Sequence, residues 1–256
     1  MQSLAQQYWA QHPALEARAR AEGVDVRSPH LPIRAVLFDM DGVLFDSMPG
    51  HAKAWAQVCQ ARGLQLNEID AYMNEGRTAF TTIEWVMQRQ FGRGTTEAEV
   101  EEIYRHKAEV FNTFPEAPKM EGAESLLSQV QADGLEMVVV TGSGQASLLN
   151  RLTTHYPSYF TTDRIVSSIE VAHGKPHPEP YLMGLQRAGN LRPWEAIVVE
   201  NAPLGVRSAV AAEIFTIAVN TGPLPECALT DEGCNLLLPS MPEFAAQWSA
   251  LRAQLF

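Results

Sequence analysis

The sequence has little of the material from which membrane-spanning, disulfide-bonded or nucleic-acid-binding proteins are built. No apolar run reaches the roughly 18 residues that a bilayer-spanning helix needs. The three cysteines, Cys59, Cys227 and Cys234, lie far apart and form no Cys-x-x-Cys pair, so neither a disulfide framework nor a zinc finger fits. Asp and Glu outnumber Lys and Arg by 30 to 19, which gives a formal net charge of −11. We therefore expect no membrane partner and no nucleic-acid partner.

Residues 1–30 are predicted to form a short helical extension in front of the main domain. They contain neither a basic start nor a long apolar stretch, so a secretory signal is not expected, although their arginines leave a transit peptide open as an alternative. Pro13 is placed to begin a second helix and Gly23 to end it. The unpaired cysteines favour a reducing, cytoplasmic location, and no protein partner is evident.

The chain of 256 residues, 46% of them hydrophobic, can bury one core and a small accessory domain. From Arg34 onward, short runs rich in Val, Ile and Leu alternate with longer stretches of helical period. The predicted strands are Ala35–Phe38, Met137–Val140, Arg164–Ser167, Ile197–Val199 and Phe215–Val219, with Leu236–Leu238 as a sixth at an edge. Their nearly unbroken apolar character is typical of strands buried on both faces. The sequence therefore predicts an α/β fold with a doubly wound parallel sheet.

A helical insertion is predicted between the first and second strands. Nearly a hundred residues separate these strands, far more than a crossover helix needs. Three apolar stripes of helical spacing lie between them and are ended by Gly63, Gly92 and Pro115. We predict a small helical cap at residues 48–117, over the carboxyl ends of the strands, and an α/β core at residues 31–47 and 118–256.

Polar residues follow several predicted strands, at the sheet edge where open parallel sheets bind ligands. They are Asp39, Asp41, Thr141, Gly142, Ser143, Lys175, Glu200 and Asn201. Oxygen ligands suit Mg²⁺, a carboxylate can attack phosphorus, and Lys, Thr and backbone N–H groups can neutralise phosphoryl oxygens. The set therefore favours phosphoryl transfer through an aspartyl-phosphate.

Asp39 and Asp41 can flank the reacting group from one extended segment. Beside Mg²⁺ and Lys175, Asp39 would stay ionised as the nucleophile. Asp41 could carry a proton for the leaving oxygen and later take one from water. Each polar residue at this edge also has an ordinary structural interpretation. The Asp pair could form a turn, Thr141 could cap a helix, and Lys175 could be a surface lysine. Only their convergence at one edge of the sheet favours a catalytic site.

Four motifs carry a resemblance to a known family. They are Asp39-x-Asp41-Gly42-Val43, Thr141-Gly142-Ser143, Gly174-Lys175-Pro176-x-Pro178 and Glu200-Asn201-Ala202-Pro203-Leu204-Gly205-Val206. Together they resemble the motifs of the haloacid-dehalogenase-like (HAD) superfamily, and the small cap after the first motif resembles its β-phosphoglucomutase-like clade. The resemblance implies Mg²⁺ as the cofactor, Asp39 as nucleophile, Asp41 as general acid and base, and Thr141 and Lys175 as ligands of the transferring phosphoryl group.

The fourth motif departs from the usual pattern, because Asn201 stands where these proteins normally supply an Asp to Mg²⁺. Its amide oxygen can still coordinate, but the lost charge should weaken metal binding. Glu75, in the predicted cap, is the candidate for an additional metal ligand, and an exposed loop acid is the alternative. Arg77 would suit a distal phosphate because its planar fork can bind two oxygens. These three residues most resemble the inorganic pyrophosphatase branch of the clade, so pyrophosphate is the favoured substrate.

Two further positions keep a second substrate class open. His51 matches a mutase histidine that assists acid and base chemistry on the sugar, and Lys107 lies on the apolar stripe between Tyr104 and Phe111. Either residue could instead be structural. They favour the alternative, a β-phosphoglucomutase or small sugar-phosphate phosphatase. A phosphate-binding protein without turnover is a third interpretation, suggested by Asn201.

The histidines outside these motifs are not expected to bind metal. His155, His173 and His177 have no partners at zinc-ligand spacing in the sequence. Pro176 and Pro178 restrict the backbone next to His177. We therefore expect structural or solvent-facing roles for these histidines.

Overall fold

The computed structural model describes the backbone of residues 2–144 and 146–256, and the side chains of these residues apart from 146–148. Six parallel strands form one sheet in the order β3-β2-β1-β4-β5-β6. They are β1 (Ala35–Phe38), β2 (Glu136–Val140), β3 (Ile165–Val166), β4 (Ala196–Glu200), β5 (Phe215–Val219) and β6 (Leu236–Leu238). The chain changes direction across the sheet between β1 and β4, which is where such sheets open a ligand crevice. The predicted doubly wound parallel sheet is confirmed.

Helices cover both faces of the sheet. They are α1 (Leu4–Gln11), α2 (Pro13–Ala21), α3 (Met48–Ala61), α4 (Glu68–Met73), α5 (Ala79–Phe91), α6 (Glu97–Phe111), α7 (Ala123–Ala132), α8 (Ala146–His155), α9 (Glu179–Arg187), α10 (Pro203–Ala211), α11 (Cys227–Thr230) and α12 (Met241–Leu255). Along β1, Val36 and Phe38 face a core cluster with α7 and α12, while Ala35 and Leu37 face a second cluster with α9 and α10. This alternation shows why the strand is apolar at every position.

The strand register sets the ends of the central strands level. Phe38 pairs with Val139 of β2 and with Val199 of β4. The residues that follow Phe38, Val139 and Val199 therefore emerge together at one edge of the sheet. This edge carries the polar residues that the motifs predicted.

Helices α3 to α6 lie between β1 and β2 and share a hydrophobic cluster of their own, with Leu224 of the core joining it. Gly63 and Gly92, with φ of +67° and +64°, follow α3 and α5 in the left-handed conformation that glycine tolerates. The loop between α4 and α5 contacts the sheet edge, because a Cβ on Gly142 would lie 2.9 Å from the carbonyl oxygen of Gly76. We propose that these four helices are the cap.

The first two helices pack against the sheet rather than standing apart from it. Tyr8 and Trp9 are buried, and Trp9 lies with its ring centroid 6.2 Å from that of Trp194. The hydroxyl of Tyr8 donates to the carbonyl oxygen of Glu213 at 2.6 Å. The amino-terminal helices thus enlarge the core on one face.

Among the residues that the structure describes, no helix combines the length and the apolar character needed to cross a membrane.

Candidate active site

Lys175 links the ends of three strands. Its ammonium is buried and donates to Asp39 Oδ1, to Glu200 Oε1 at 2.6 Å and to the carbonyl oxygen of Val140 at 3.0 Å. Burial alone would lower the pKa of Lys175, but the charges of Asp39 and Glu200 outweigh it and raise the pKa. Lys175 is therefore a permanent cation beside the predicted nucleophile.

Glu200 is held more firmly than any other carboxylate of the site. Tyr181 donates its hydroxyl to Glu200 Oε1 at 2.6 Å, and the backbone N–H groups of Asn201 and Ala202 donate to Oε2 at 3.0 and 3.2 Å. A Cβ on Gly205 would lie 1.9 Å from Glu200 Oε1, so glycine is required for the carboxylate to fit. The sequence placed Glu200 at the edge without assigning it a role, and the structure makes it the fixed counter-ion of Lys175.

Asp41 begins a chain of polar contacts that reaches into the cap. Its Oδ1 accepts from the Ser47 hydroxyl at 2.5 Å and lies 3.4 Å from Nε2 of His51. The other ring nitrogen, Nδ1 of His51, lies 2.7 Å from the Lys107 ammonium. An ammonium can only donate, so the proton of a neutral His51 belongs on Nε2, facing Asp41. His51 and Lys107, which the sequence singled out separately, thus act on Asp41 together.

The two motif aspartates differ in the direction of their pKa shifts. Burial raises the pKa of Asp39 to about 8, against the effect of Lys175. Burial acts to raise the pKa of Asp41 too, but His51 and Ser47 outweigh it and hold the pKa below its usual range. The sequence prediction of an ionised Asp39 and of an Asp41 that can carry a proton concerns the site with Mg²⁺ bound, and for that site it stays a prediction. The two shifts differ because folding places His51 and Ser47 next to Asp41, whereas burial, aided by the nearby charge of Glu200, dominates at Asp39.

Glu75 meets Asn201 across the boundary between cap and core. Nδ2 of Asn201 donates to Glu75 Oε2 at 3.3 Å. Among the described residues, the remaining oxygens of the pair, Glu75 Oε1 and Asn201 Oδ1, are buried and have no hydrogen-bond partner. Glu75 is therefore not an exposed loop acid, which was the alternative left open by the sequence.

The donor set fits a divalent cation on two grounds. Buried oxygens without a partner are costly, and Glu75 and Asn201 direct two of them into the same site. Burial and the nearby charges of Asp39 and Glu200 also raise the pKa of Glu75, which marks an excess of negative charge that a cation would offset. Carboxylate and amide oxygens are the ligands that Mg²⁺ prefers.

The turn after β2 supplies the predicted phosphoryl ligands. Thr141 is buried, and its Oγ1 accepts from the backbone N–H of Ser143 at 3.0 Å, which fixes the turn. Gly142 leaves room for the cap loop. The structure thus brings Thr141, Gly142 and Ser143 to the edge that holds Asp39.

A cavity of about 90 Å³ separates cap and core. Asp39, Asp41, Gly142 and Ser143 line it from the core. The cap contributes His51, Glu75, Arg77 and Lys107 and, in addition, Met48, Trp55 and Tyr104. Trp55 belongs to the predicted apolar stripe that Gly63 ends, and helical spacing alone does not show whether its ring faces a core or a ligand. The aromatic wall of the cavity was therefore missed.

Arg77 lies on the cap side of this cavity. Its Nε donates to Asn74 Oδ1 at 2.9 Å. No carboxylate of the described residues lies within ion-pair distance of its guanidinium. A positioned but unpaired guanidinium is suited to an anionic group of a ligand.

A family model described as haloacid dehalogenase-like hydrolase matches residues 33–213. The chain belongs to this family. The resemblance read from the four motifs is thus confirmed, as is the prediction of a HAD-type phosphohydrolase. The pyrophosphatase branch is not singled out by these matches.

The relatives of this HAD-like hydrolase include named phosphatases. Hexitol phosphatase A of Escherichia coli (strain K12) is 34% identical over 189 residues, which cover 73% of this chain and 83% of that protein. A phosphorylated carbohydrates phosphatase of Thermotoga maritima is 29% identical over 187 residues, covering 72% and 84% of the two chains. A solved structure from Bacteroides vulgatus, named provisionally as a β-phosphoglucomutase, has 44% identity and a TM-score of 0.87 over 100% of this chain and 99% of that one.

Proposed function

We propose that this protein is a Mg²⁺-dependent phosphatase of small phosphorylated sugars or sugar alcohols. The named phosphatases among its relatives support this substrate class. The observation that carries it is the aromatic wall of the cavity, where Trp55 and Tyr104 share the lining with Asp39 and Asp41. Aromatic rings offer apolar contact to the C–H faces of a sugar, whereas pyrophosphate has no apolar surface to bury.

The residues present would divide the chemistry as follows. Lys175 holds Oδ1 of Asp39, so the second carboxylate oxygen attacks phosphorus and the bond to the sugar oxygen breaks. Asp41 gives the leaving oxygen a proton, and the negative charge of the bound phosphate raises its proton affinity for this step. In the second step Asp41 takes a proton from the water that releases phosphate. Thr141, Ser143 and Lys175 offset the charge on the phosphoryl oxygens.

Mg²⁺ would be held by Asp39, Asp41, Asn201 and Glu75. When bound, it would supply positive charge for the phosphoryl oxygens. The predicted dependence of the enzyme on Mg²⁺ is part of this proposal.

Pyrophosphate, the substrate that the sequence favoured, remains the second candidate. The contact between Glu75 and Asn201 supports it, because this pair was the feature that resembled the pyrophosphatase branch. The relatives named above act on phosphorylated carbohydrates or hexitols by name, so they give pyrophosphate no support. We therefore rank the sugar phosphates first.

The test is phosphate release from hexose phosphates, hexitol phosphates and pyrophosphate, with Mg²⁺ or with a chelator, and with Asp39→Asn as the control for contamination. We expect fast Mg²⁺-dependent release from at least one carbohydrate ester. Trp55→Ala should lower kcat/KM for that ester roughly tenfold or more and leave pyrophosphate turnover unchanged. Release from pyrophosphate alone would establish the second candidate, and interconversion of glucose phosphate isomers would establish a mutase.

A further inference from the structure

The loop that carries Lys175 brings together three metal-binding side chains on its outer surface. His173 and His177 lie on either side of Lys175, and Glu179 is the first residue of α9. Nδ1 of His173 is 2.9 Å and Nδ1 of His177 is 3.9 Å from Oε2 of Glu179. One ligand atom from each of the three residues lies within 4.8 Å of the others. The two imidazole rings have their centroids 4.6 Å apart.

This cluster is separate from the active site. The Lys175 side chain is 1% exposed and is directed inward to Asp39 and Glu200, whereas the side chains of His173 and His177 are 66% and 49% exposed. The loop thus has an inner face for catalysis and an outer face with the two imidazoles. The sequence predicted structural or solvent-facing roles for these histidines, and both side chains are exposed, but sequence spacing did not reveal that Glu179 joins them.

The carboxylate of this cluster is positioned and charged. The backbone N–H groups of Ala172 and His173 donate to its two oxygens at 2.7 and 3.0 Å. These backbone bonds, together with the His173 side chain, hold the pKa of Glu179 below its usual range. Glu179 is therefore an anion at neutral pH.

We propose that His173, His177 and Glu179 bind a divalent transition-metal ion of the Zn²⁺ class. Two imidazoles and one carboxylate are a ligand set that Zn²⁺, Ni²⁺ and Cu²⁺ accept, and Mg²⁺ disfavours imidazole. The exposure of the site leaves further positions of the ion to water. The ligand atoms lie within 4.8 Å of one another, and an ion bound at Nδ1 of His177 would replace the hydrogen bond that this nitrogen accepts from the backbone N–H of Glu179 at 3.2 Å.

A cation at this site would connect the two ends of the Lys175 loop. His173 precedes Lys175, His177 follows it, and Glu179 anchors both to α9. The same loop abuts the cap, since a Cβ on Gly174 would lie 2.7 Å from Cγ2 of Thr78. Metal binding would therefore restrain the loop that positions the catalytic ammonium, whatever the substrate of the enzyme.

The test is calorimetric titration of the full chain with Zn²⁺, with Mg²⁺ in excess to occupy the active site. Cys227→Ser and Cys234→Ser form the background, because these two thiols are not buried and would bind Zn²⁺ themselves. We expect one Zn²⁺ per chain. His173→Ala and His177→Ala should each weaken binding roughly tenfold or more, because a three-ligand site loses one ligand.

Two variants control this experiment. His155→Ala removes a histidine that also lies beside a carboxylate, with Nε2 3.1 Å from Glu116 Oε1, and it should leave the isotherm unchanged. Glu179→Gln loses the charge and keeps one oxygen, which can accept only one of the two backbone N–H groups, so it should weaken Zn²⁺ binding and loosen the loop at Ala172 or His173. Circular dichroism checks that each variant is folded. Folded His173→Ala and His177→Ala proteins that bind Zn²⁺ as the background protein does would overturn the proposal, as would weakening by His155→Ala alone.

Discussion

At the scale of single residues, Asn201 stands where the family usually has an Asp, so the site has one negative charge fewer at this position. The proposed role of Glu75 is to replace that charge. The amide of Asn201 donates to Glu75, which an Asp could not do when ionised. The contact between Asn201 and Glu75 would therefore compensate for the missing Asp in two ways. It holds the cap loop against the core, and it brings a negative charge to the proposed metal site. Both effects should appear in the Mg²⁺ dependence of turnover rather than in the stability of the fold.

Glu75→Gln should raise the Mg²⁺ concentration needed for half-maximal turnover about tenfold, because it removes one anionic ligand of a hard cation. Asn201→Asp is the matched opposite change and should lower that concentration, since it restores a negative charge. The measurement is phosphate release against Mg²⁺ concentration for both variants and the parent. If Glu75→Gln followed the parent curve, Glu75 would not ligate the metal, and the site would shrink to the core residues.

At the scale of elements, α3 and α6 bury a charged network between them. His51 of α3 stacks on Phe111 of α6 with ring centroids 4.1 Å apart, and Lys107 of α6 is 3% exposed. Burial lowers the pKa of Lys107 from 10.5 to about 8, although Asp41 opposes this. A buried ammonium without a carboxylate in contact is a cost to folding, and its retention fits a role in the cavity.

Lys107→Met should therefore stabilise the protein while it lowers turnover of phosphate esters. The folded-state pKa lies below the unfolded one, so the ammonium costs stability most below pH 8, and the cost fades as the pH rises from 8 to 10.5. A fall in pKa from 10.5 to about 8 corresponds to an increase of about 3 kcal/mol at most in the free energy of unfolding of the Lys107→Met variant. Urea unfolding of the variant and the parent at pH 7 and at pH 10 measures this increase. An equal gain at both pH values, or a loss at pH 7, would contradict the burial argument.

At the scale of the whole molecule, the sequence predicted the sheet and the site edge well because both follow from local pattern. Unbroken apolar runs are needed by strands buried on two faces, and the residues after such runs meet at one edge. It could not predict contacts that depend on how cap and core meet. In the sequence, Trp55 has the spacing of an ordinary apolar helix residue. The protonation of Asp41 depends on His51 and Lys107, which come from two cap helices.

The meeting of cap and core can be tested at Gly142. A methyl group there would lie 2.9 Å from the backbone oxygen of Gly76, so the cap loop that carries Glu75 and Arg77 would have to move away from the sheet edge. Gly142→Ala should therefore lower kcat/KM roughly tenfold or more, with little change in the urea midpoint. Gly94→Ala is the matched control, because there the new methyl meets only side-chain atoms, the nearest being Glu84 Oε1 at 3.3 Å, and no backbone atom of another segment. Equal activity of the two variants would show that the cap loop does not need its close contact with the turn after β2, and the cavity would then not be the place where substrate is held for attack.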